Sequence, residues 1–302
     1  MSLKIYFWSE LLRPKLLIPF LEKIGNYNFG LNLAITPNRL KELNHFIKIC
    51  VKNDVELNFW PLISIKQGYW INKWNIKVFE KWIAYLLENF PNTSAYLLDL
   101  ENPINFTGVT GIILKRKLNT LISNEDIRFK LEALVDKIHD FGKKVISTTY
   151  GGIPLGLSPR PSNADFYSYM VYSSFIKRIS SEETRQNIIY YCANKIRIEH
   201  GLQKAAIDLG ITTYGIYQRS LSNILGYLDL NEILNQIAIC KYLKLSRIHI
   251  FSFDNMTIEV DKWLENISNV RPKPPPSSHS MKLGLMYYIY EKLLFKMDLT
   301  KF

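Results

Sequence analysis

What most constrains this chain is an alternation repeated eight times, in which a short apolar run is followed by a longer stretch with helical patterning. The runs are residues 3–8 (LKIYFW), 29–35 (FGLNLAI), 55–63 (VELNFWPLI), 95–101 (AYLLDLE), 144–150 (KVISTTY), 166–172 (FYSYMVY), 205–214 (AAIDLGITTY) and 247–254 (RIHIFSFD). The stretches 11–24, 37–51, 73–90 and 127–141 carry apolar residues at helical spacing, the last of them at 131, 134, 135 and 138. Strands this apolar on both faces suit a parallel sheet covered by helices. Eight of them, recurring about every 35 residues, predict an α/β chain folded as a (β/α)8 TIM barrel. A doubly wound open sheet competes. However, the turn after Trp8 holds no glycine-rich phosphate fingerprint, and no Walker motif occurs.

The chain has 302 residues, room for one barrel of roughly 250 residues and something more. The barrel is expected over 1–269. Residues 271–278 (RPKPPPSS) mark a stiff Pro-rich linker over 270–280. Within 281–302 a C-terminal amphipathic helix is predicted, with Leu283, Met286, Tyr287, Tyr290, Leu294 and Met297 on one stripe. A helix so apolar must be covered, by the barrel itself, by a protein partner or by a membrane surface.

The net charge of +11 points toward phosphate, whereas 18 Tyr, 16 Phe and 6 Trp point toward ligands with faces to stack on. Residues 270–302 hold six basic and two acidic side chains, so +4 of the charge sits there. The rest is dispersed, its densest cluster being the short 114–118 (LKRKL). No helix-turn-helix, zinc-finger or RNP pattern accompanies it, so no specific nucleic-acid partner is expected. Cys50, Cys192 and Cys240 are odd in number and widely spaced. They predict buried thiols, with no disulfide or zinc framework and no metal or cofactor implied. The start, MSLKIYFW, lacks the basic opening and long apolar core of a signal peptide. No apolar stretch reaches the ~18–20 residues of a membrane span, so the cytoplasm is the default expectation.

In such a barrel the active site is built at the C-terminal ends of the strands. Strand one delivers Trp8 and Glu10, and strand three delivers Trp60, followed by a loop holding Tyr69, Trp70 and Trp74. Asp99 and Glu101 end strand four, Tyr150 strand five, Tyr172 strand six, Tyr214 strand seven, and Phe253 and Asp254 strand eight. Carboxylates ringed by aromatics are the lining of a carbohydrate site, because sugar C–H faces pack on rings while acids move protons. Asp99 and Glu101 share a strand face. Inside a barrel two adjacent acids must share a proton or be hydrogen-bonded, so one is expected to stay protonated near neutrality, as a general acid must. The same tripeptide suits a plain strand end, with Glu101 or Asn102 satisfying the next turn. Trp8, Trp60 and Tyr214 equally suit a packed core. Glu10 or Asp254 would supply the second carboxylate of a conventional pair, ~5 Å away for retention or ~6.5–9.5 Å for inversion. His139, His200 and His249 lack metal-ligand spacing, and His249 is expected to pack in or under the barrel.

Residues 94–101 (SAYLLDLE) resemble a reduced form of the fourth-strand DxxDxDxE signature of family 18 glycoside hydrolases, which include chitinases and endo-β-N-acetylglucosaminidases. Residues 164–175 (ADFYSYMVYSSF) are similar to that family's strand-six pattern ending in Met-x-Tyr-Asp. Tyr214 with Gly215 resembles its strand-seven Tyr-Gly. The resemblance implies that Glu101 protonates the glycosidic oxygen. It implies that Asp99 orients a 2-acetamido group whose own carbonyl oxygen attacks C1, and that Tyr172 hydrogen-bonds that group. Trp8, Trp60 and Tyr214 would stack on sugar rings. The chain departs from the signature at Ser94 and Leu97, which stand at its first two aspartates, and at Ser173, which follows the strand-six tyrosine. Phe251 and Phe253 are the nearest substitutes for a strand-eight tryptophan. The expected function is hydrolysis of β-linked N-acetylglucosamine-containing glycans. The departures keep open a non-catalytic barrel of the same ancestry that binds a glycan or a protein.

Overall fold

A computed structural model describes residues 3–10, 14–41, 43–100, 124–150, 160–178, 180–212, 226–256 and 259–276. Eight strands form a closed parallel barrel in chain order, and β1 pairs with β8. They are β1 (Lys4–Ser9), β2 (Gly30–Ile35), β3 (Glu56–Pro61), β4 (Ala95–Asp99), β5 (Lys144–Tyr150), β6 (Phe166–Val171), β7 (Ala205–Gly210) and β8 (Arg247–Phe251). Seven helices are found among the described residues: α1 (Pro14–Asn26), α2 (Leu43–Lys52), α3 (Ile76–Asn89), α4 (Asn124–Asp140), α5 (Glu182–Lys204), α6 (Leu230–Tyr242) and α7 (Val260–Asn269). The (β/α)8 architecture expected from the alternation is the one observed.

Strands seven and eight end earlier than their apolar runs. After Gly210 the chain leaves the ladder, with Ile211 N–H donating to the Phe251 carbonyl at 2.7 Å and Thr212 bridging antiparallel to Tyr227. After Phe251 it winds into a 3-10 turn at Phe253–Asn255. Ile211, Thr212 and Phe253 therefore lie beyond the sheet, at its C-terminal end.

Each helix turns an apolar stripe to the strands. In α2 Leu43, Phe46, Ile47 and Cys50 are buried, the spacing of a single helical face. In α4 the predicted residues 131, 134, 135 and 138 are all buried. Caps fix helix starts: Ser181 Oγ accepts from Thr184 N–H at 3.2 Å, and Asp229 with Glu232 forms a reciprocal capping box at α6. Cys50, Cys192 and Cys240 are buried. Burial pushes the Cys50 thiol up to about 12, so it behaves as a small apolar group.

The register shows how the interior is filled. Following the pairing around the barrel while climbing one residue per strand leads from Trp8 through Trp60, Thr148 and Asp208 back to Trp8. Inward side chains therefore stack in layers of four from alternate strands, as barrels of this type require. Rising toward the C-terminal mouth, the layers are Tyr6, Asn58, Ile146 and Ala206; Asn32, Leu97, Ser168 and His249; Trp8, Trp60, Thr148 and Asp208; and Ala34, Asp99, Met170 and Phe251.

Below them the N-terminal end is plugged by paired charges. The Arg247 guanidinium lies 3.7 Å from the Phe166 ring centroid and 5.0 Å from that of Tyr6, and donates to Tyr6 Oη at 2.5 Å. Glu56 lies 3.8 Å from Lys4 Nζ and 4.0 Å from Arg247. Burial pushes the Tyr6 phenol well above its ordinary range, against the pull of Arg247.

After α7, residues 271–276 have no regular secondary structure, and Lys273 N–H donates to the Ala238 carbonyl of α6 at 3.1 Å. The helix expected within 281–302 lies outside the described residues. Among those residues no helix is long and apolar enough to cross a membrane.

Candidate active site

Asp99 is the last residue of β4, buried in the uppermost of these layers. Tyr172 follows the last residue of β6 and is half-buried. Its ring stacks on Phe251 with centroids 5.5 Å apart and planes 19° apart, and the Phe251–Ser252 peptide bond is cis. The other support is Gly210, where a Cβ would lie 2.8 Å from the Tyr172 ring and 2.6 Å from the Thr212 carbonyl. Only a residue without a side chain lets the phenol lie this close to β7.

A second aromatic group comes from the loop between β3 and α3. Tyr69 and Trp70 meet edge to face at 5.1 Å and pack against the cluster holding Trp8, Trp60 and Phe251. Gly68 and Tyr69 both take positive φ, 104° and 60°. Two asparagines hold that shape. Asn75 Nδ2 donates to the Gln67 and Trp70 carbonyls at 3.1 and 2.8 Å, and Asn72 Nδ2 to Trp70 at 3.0 Å. Asn75 Oδ1 accepts from Asn72 N–H at 2.8 Å, and Asn72 Oδ1 from Trp74 N–H at 3.0 Å. Trp74 is left 59% exposed on the rim, with Lys73 Nζ 4.6 Å from its ring centroid. The sequence placed these rings after strand three, but only the asparagine lattice makes them a fixed surface.

The remaining expected residues fall at different depths. Trp8 and Trp60 meet edge to face at 4.7 Å and are 2% and 3% exposed, so they form the packed floor beneath the mouth rather than open walls. Glu10 is buried just past β1. The Asp254 carboxylate accepts from Ser9 Oγ at 2.8 Å and Glu10 N–H at 2.7 Å, which ties the loop after β8 to the end of β1. Tyr150 ends β5. Glu101 and Tyr214 lie outside the described residues.

His249 packs inside the barrel as expected, two layers down, but sequence reading missed its partner Asp208, one layer down. Asp208 Oδ1 lies 2.7 Å from His249 Nδ1 and accepts from Trp8 Nε1 at 3.3 Å, and both members are fully buried. Ser168 Oγ stands 3.2 Å from the same His249 Nδ1. Serine, histidine and aspartate within reach of one another suggest nucleophilic catalysis. The geometry denies it, because both contacts fall on one ring nitrogen, whereas a base must hold nucleophile and acid on opposite nitrogens. Ser168 is also fully buried, out of a substrate's reach. A signal did exist: Asp208 and His249 are charged or polar residues at inward parity in consecutive, otherwise apolar strands. Among the described residues, no three His, Cys, Asp or Glu side chains gather as a metal-binding group.

The amino-acid sequence matches no protein-family profile and no curated protein. Solved structures do match over most of the chain. A GH5_18 protein from Streptomyces cattleya, in complex with Manb1-4GlcNAc, aligns at a TM-score of 0.56 and 8% identity, over 93% of this chain and 80% of its own. A GH5 cellulase from an Icelandic hot spring isolate aligns at 0.52 and 15% identity, covering 92% and 90%. A variant of the class V chitinase from Nicotiana tobaccum, in complex with NAG4, aligns at 0.52 and 8% identity, covering 89% and 99%. At such identities, what is shared is the barrel fold.

Proposed function

We propose that this barrel is a glycoside hydrolase acting on β-linked, N-acetylglucosamine-containing glycans. The observation that supports the reading is that Asp99 ends β4 and Tyr172 follows β6, both at C-terminal strand ends, with the Tyr172 ring lying between Phe251 and Gly210. The complexes of similar barrels with Manb1-4GlcNAc and NAG4 support a carbohydrate substrate. In this reading Glu101 gives its proton to the glycosidic oxygen as the bond to C1 breaks. The substrate's acetamido oxygen closes on C1, oriented by Asp99 and hydrogen-bonded by Tyr172, and water then opens the cyclic intermediate. Trp8 and Trp60 are the floor, Glu10, Tyr150, Tyr214 and Asp254 complete the lining, and the rim rings of the β3–α3 loop take further sugar faces. Glu101→Gln is expected to lower hydrolysis of N-acetylglucosamine oligosaccharides by about 10²–10⁴-fold. Undiminished hydrolysis would overturn the proposal.

One observation favours a second reading, a barrel that binds glycans without cleaving them. Leu97, fully buried in the interior, stands where the resembling signature has an acid. Absence of turnover over a broad glycan panel, with saturable binding lost in Trp74→Ala, would select it.

A further inference from the structure

Asp208 and His249 take no part in the reaction just described. We infer that they are positioning residues for it, a buried pair that holds the Trp8 indole, and through it the floor of the mouth, in one orientation. The inference rests on the hydrolase reading only for its kinetic readout.

The hub is Asp208 Oδ1. It receives the indole N–H of Trp8 from β1 at 3.3 Å and lies 2.7 Å from His249 Nδ1 on β8, while its own strand is β7. An indole has one donor, so an acceptor on one side of the ring selects one of its two edgewise orientations. Trp8 in turn meets Trp60 edge to face at 4.7 Å and His249 at 6.1 Å, and His249 meets Tyr6 at 5.3 Å. The Trp8 orientation thus reaches three further rings. Phe251, which carries the Tyr172 ring, belongs to the same interior cluster as Trp8 and Trp60.

Stability alone does not account for the pair. Apolar residues of equal volume are commonly as stable as a buried ion pair or better, and specificity of arrangement is what such groups supply where they are kept. A buried carboxyl group needs hydrogen-bond partners, and His249 Nδ1 and the Trp8 indole N–H are the two that reach Asp208 Oδ1.

The test uses the full chain. The Trp8 indole N–H resonance is assigned by its loss in Trp8→Phe, then followed in Asp208→Asn and His249→Gln. Asp208→Asn is expected to move that resonance and to speed its exchange with solvent by about tenfold or more. It is expected to lower kcat on N-acetylglucosamine oligosaccharides by about 10–100-fold with KM changed less than about threefold, the signature of a misplaced reacting centre. A role confined to stability would leave kcat of the folded protein unchanged. Should Asp208→Asn not fold, Trp8→Phe keeps an aromatic ring at that position, removes the donor and must lower kcat in the same way. An indole resonance unmoved by both Asp208→Asn and His249→Gln would overturn the inference. A moved resonance in a protein with no hydrolytic activity would instead uphold the positioning and overturn the hydrolase reading.

Discussion

The two ends of the barrel interior use similar residues to opposite effect. At the N-terminal end Lys4, Tyr6, Glu56 and Arg247 satisfy one another, and Phe166 covers the guanidinium. Above this plug the interior layers hold buried polar atoms without a hydrogen-bond partner among the described residues, from Asn58 Oδ1 in the lowest layer to Trp60 Nε1, Thr148 Oγ1 and Asp208 Oδ2 nearer the mouth. Each such group costs about 1–3 kcal/mol. A charge-paired plug at one end and a polar interior rising toward the other is the arrangement in which the loop-bearing C-terminal end stays available for a site.

The largest effect that would break this comparison lies at the mouth. Asp99→Asn is expected to lower hydrolysis of N-acetylglucosamine oligosaccharides about 10³-fold, or about 4 kcal/mol of barrier, with little change in urea midpoint. Lost stability with an unchanged rate would make the mouth a second plug. Arg247→Ala should do the reverse. Removing the guanidinium strips the Phe166 and Tyr6 rings of their cation and leaves Glu56 with one fewer partner, a loss of about 3 kcal/mol in urea unfolding. kcat/KM of the folded protein should stay as it was. A smaller effect is expected of Gly210→Ala, whose methyl would meet the Thr212 carbonyl at 2.6 Å and the Tyr172 ring at 2.8 Å. Crowding of this kind costs about 1–3 kcal/mol. It should also raise KM, because the phenol must turn away.

The barrel was legible in the sequence because a buried parallel strand must be apolar along its length, and eight such runs stand out. Their ends were less legible. Ile211 and Phe253 continue the strand pattern in the sequence and are buried, yet the chain leaves the ladder after Gly210 and turns at Phe253, and the pattern of residues alone does not show where. Of the proposed site residues, Asp99 was reached from its strand-end spacing with Glu101, and Tyr172 from its place at the end of strand six. Trp8 and Trp60 were expected at strand ends, to stack on sugar or to pack in the core; both are buried inside the barrel, because depth along its axis depends on the register of all eight strands. Asp208 was passed over because a lone acid in AAIDLG carries no motif. Its meaning comes from His249, forty-one residues later, in the neighbouring strand.

The smallest effect concerns His200, on the outer wall near the start of β6, and sharpens the contrast between the ends by placing a pH response away from the mouth. Its ring stacks on Tyr167 at 4.2 Å, and Nε2 lies 2.7 Å from Tyr169 Oη and 3.3 Å from Arg160. A nitrogen receiving those donors must be unprotonated. Burial holds the imidazole below its ordinary value, with Arg160 and Lys204 adding to the effect and Glu199 opposing it. The unfolded chain therefore takes up this proton at higher pH than the folded one. The contribution of His200 is fully present above the unfolded value, about 6.5, and declines as pH falls below it. Between about pH 7.5 and 5.5, urea unfolding of the parent chain should lose more stability than that of His200→Gln, which keeps an acceptor but cannot titrate. Equal losses would show that the wall is indifferent to this proton. A pH–rate profile shifted by the substitution would show that the outer wall and the mouth are coupled after all.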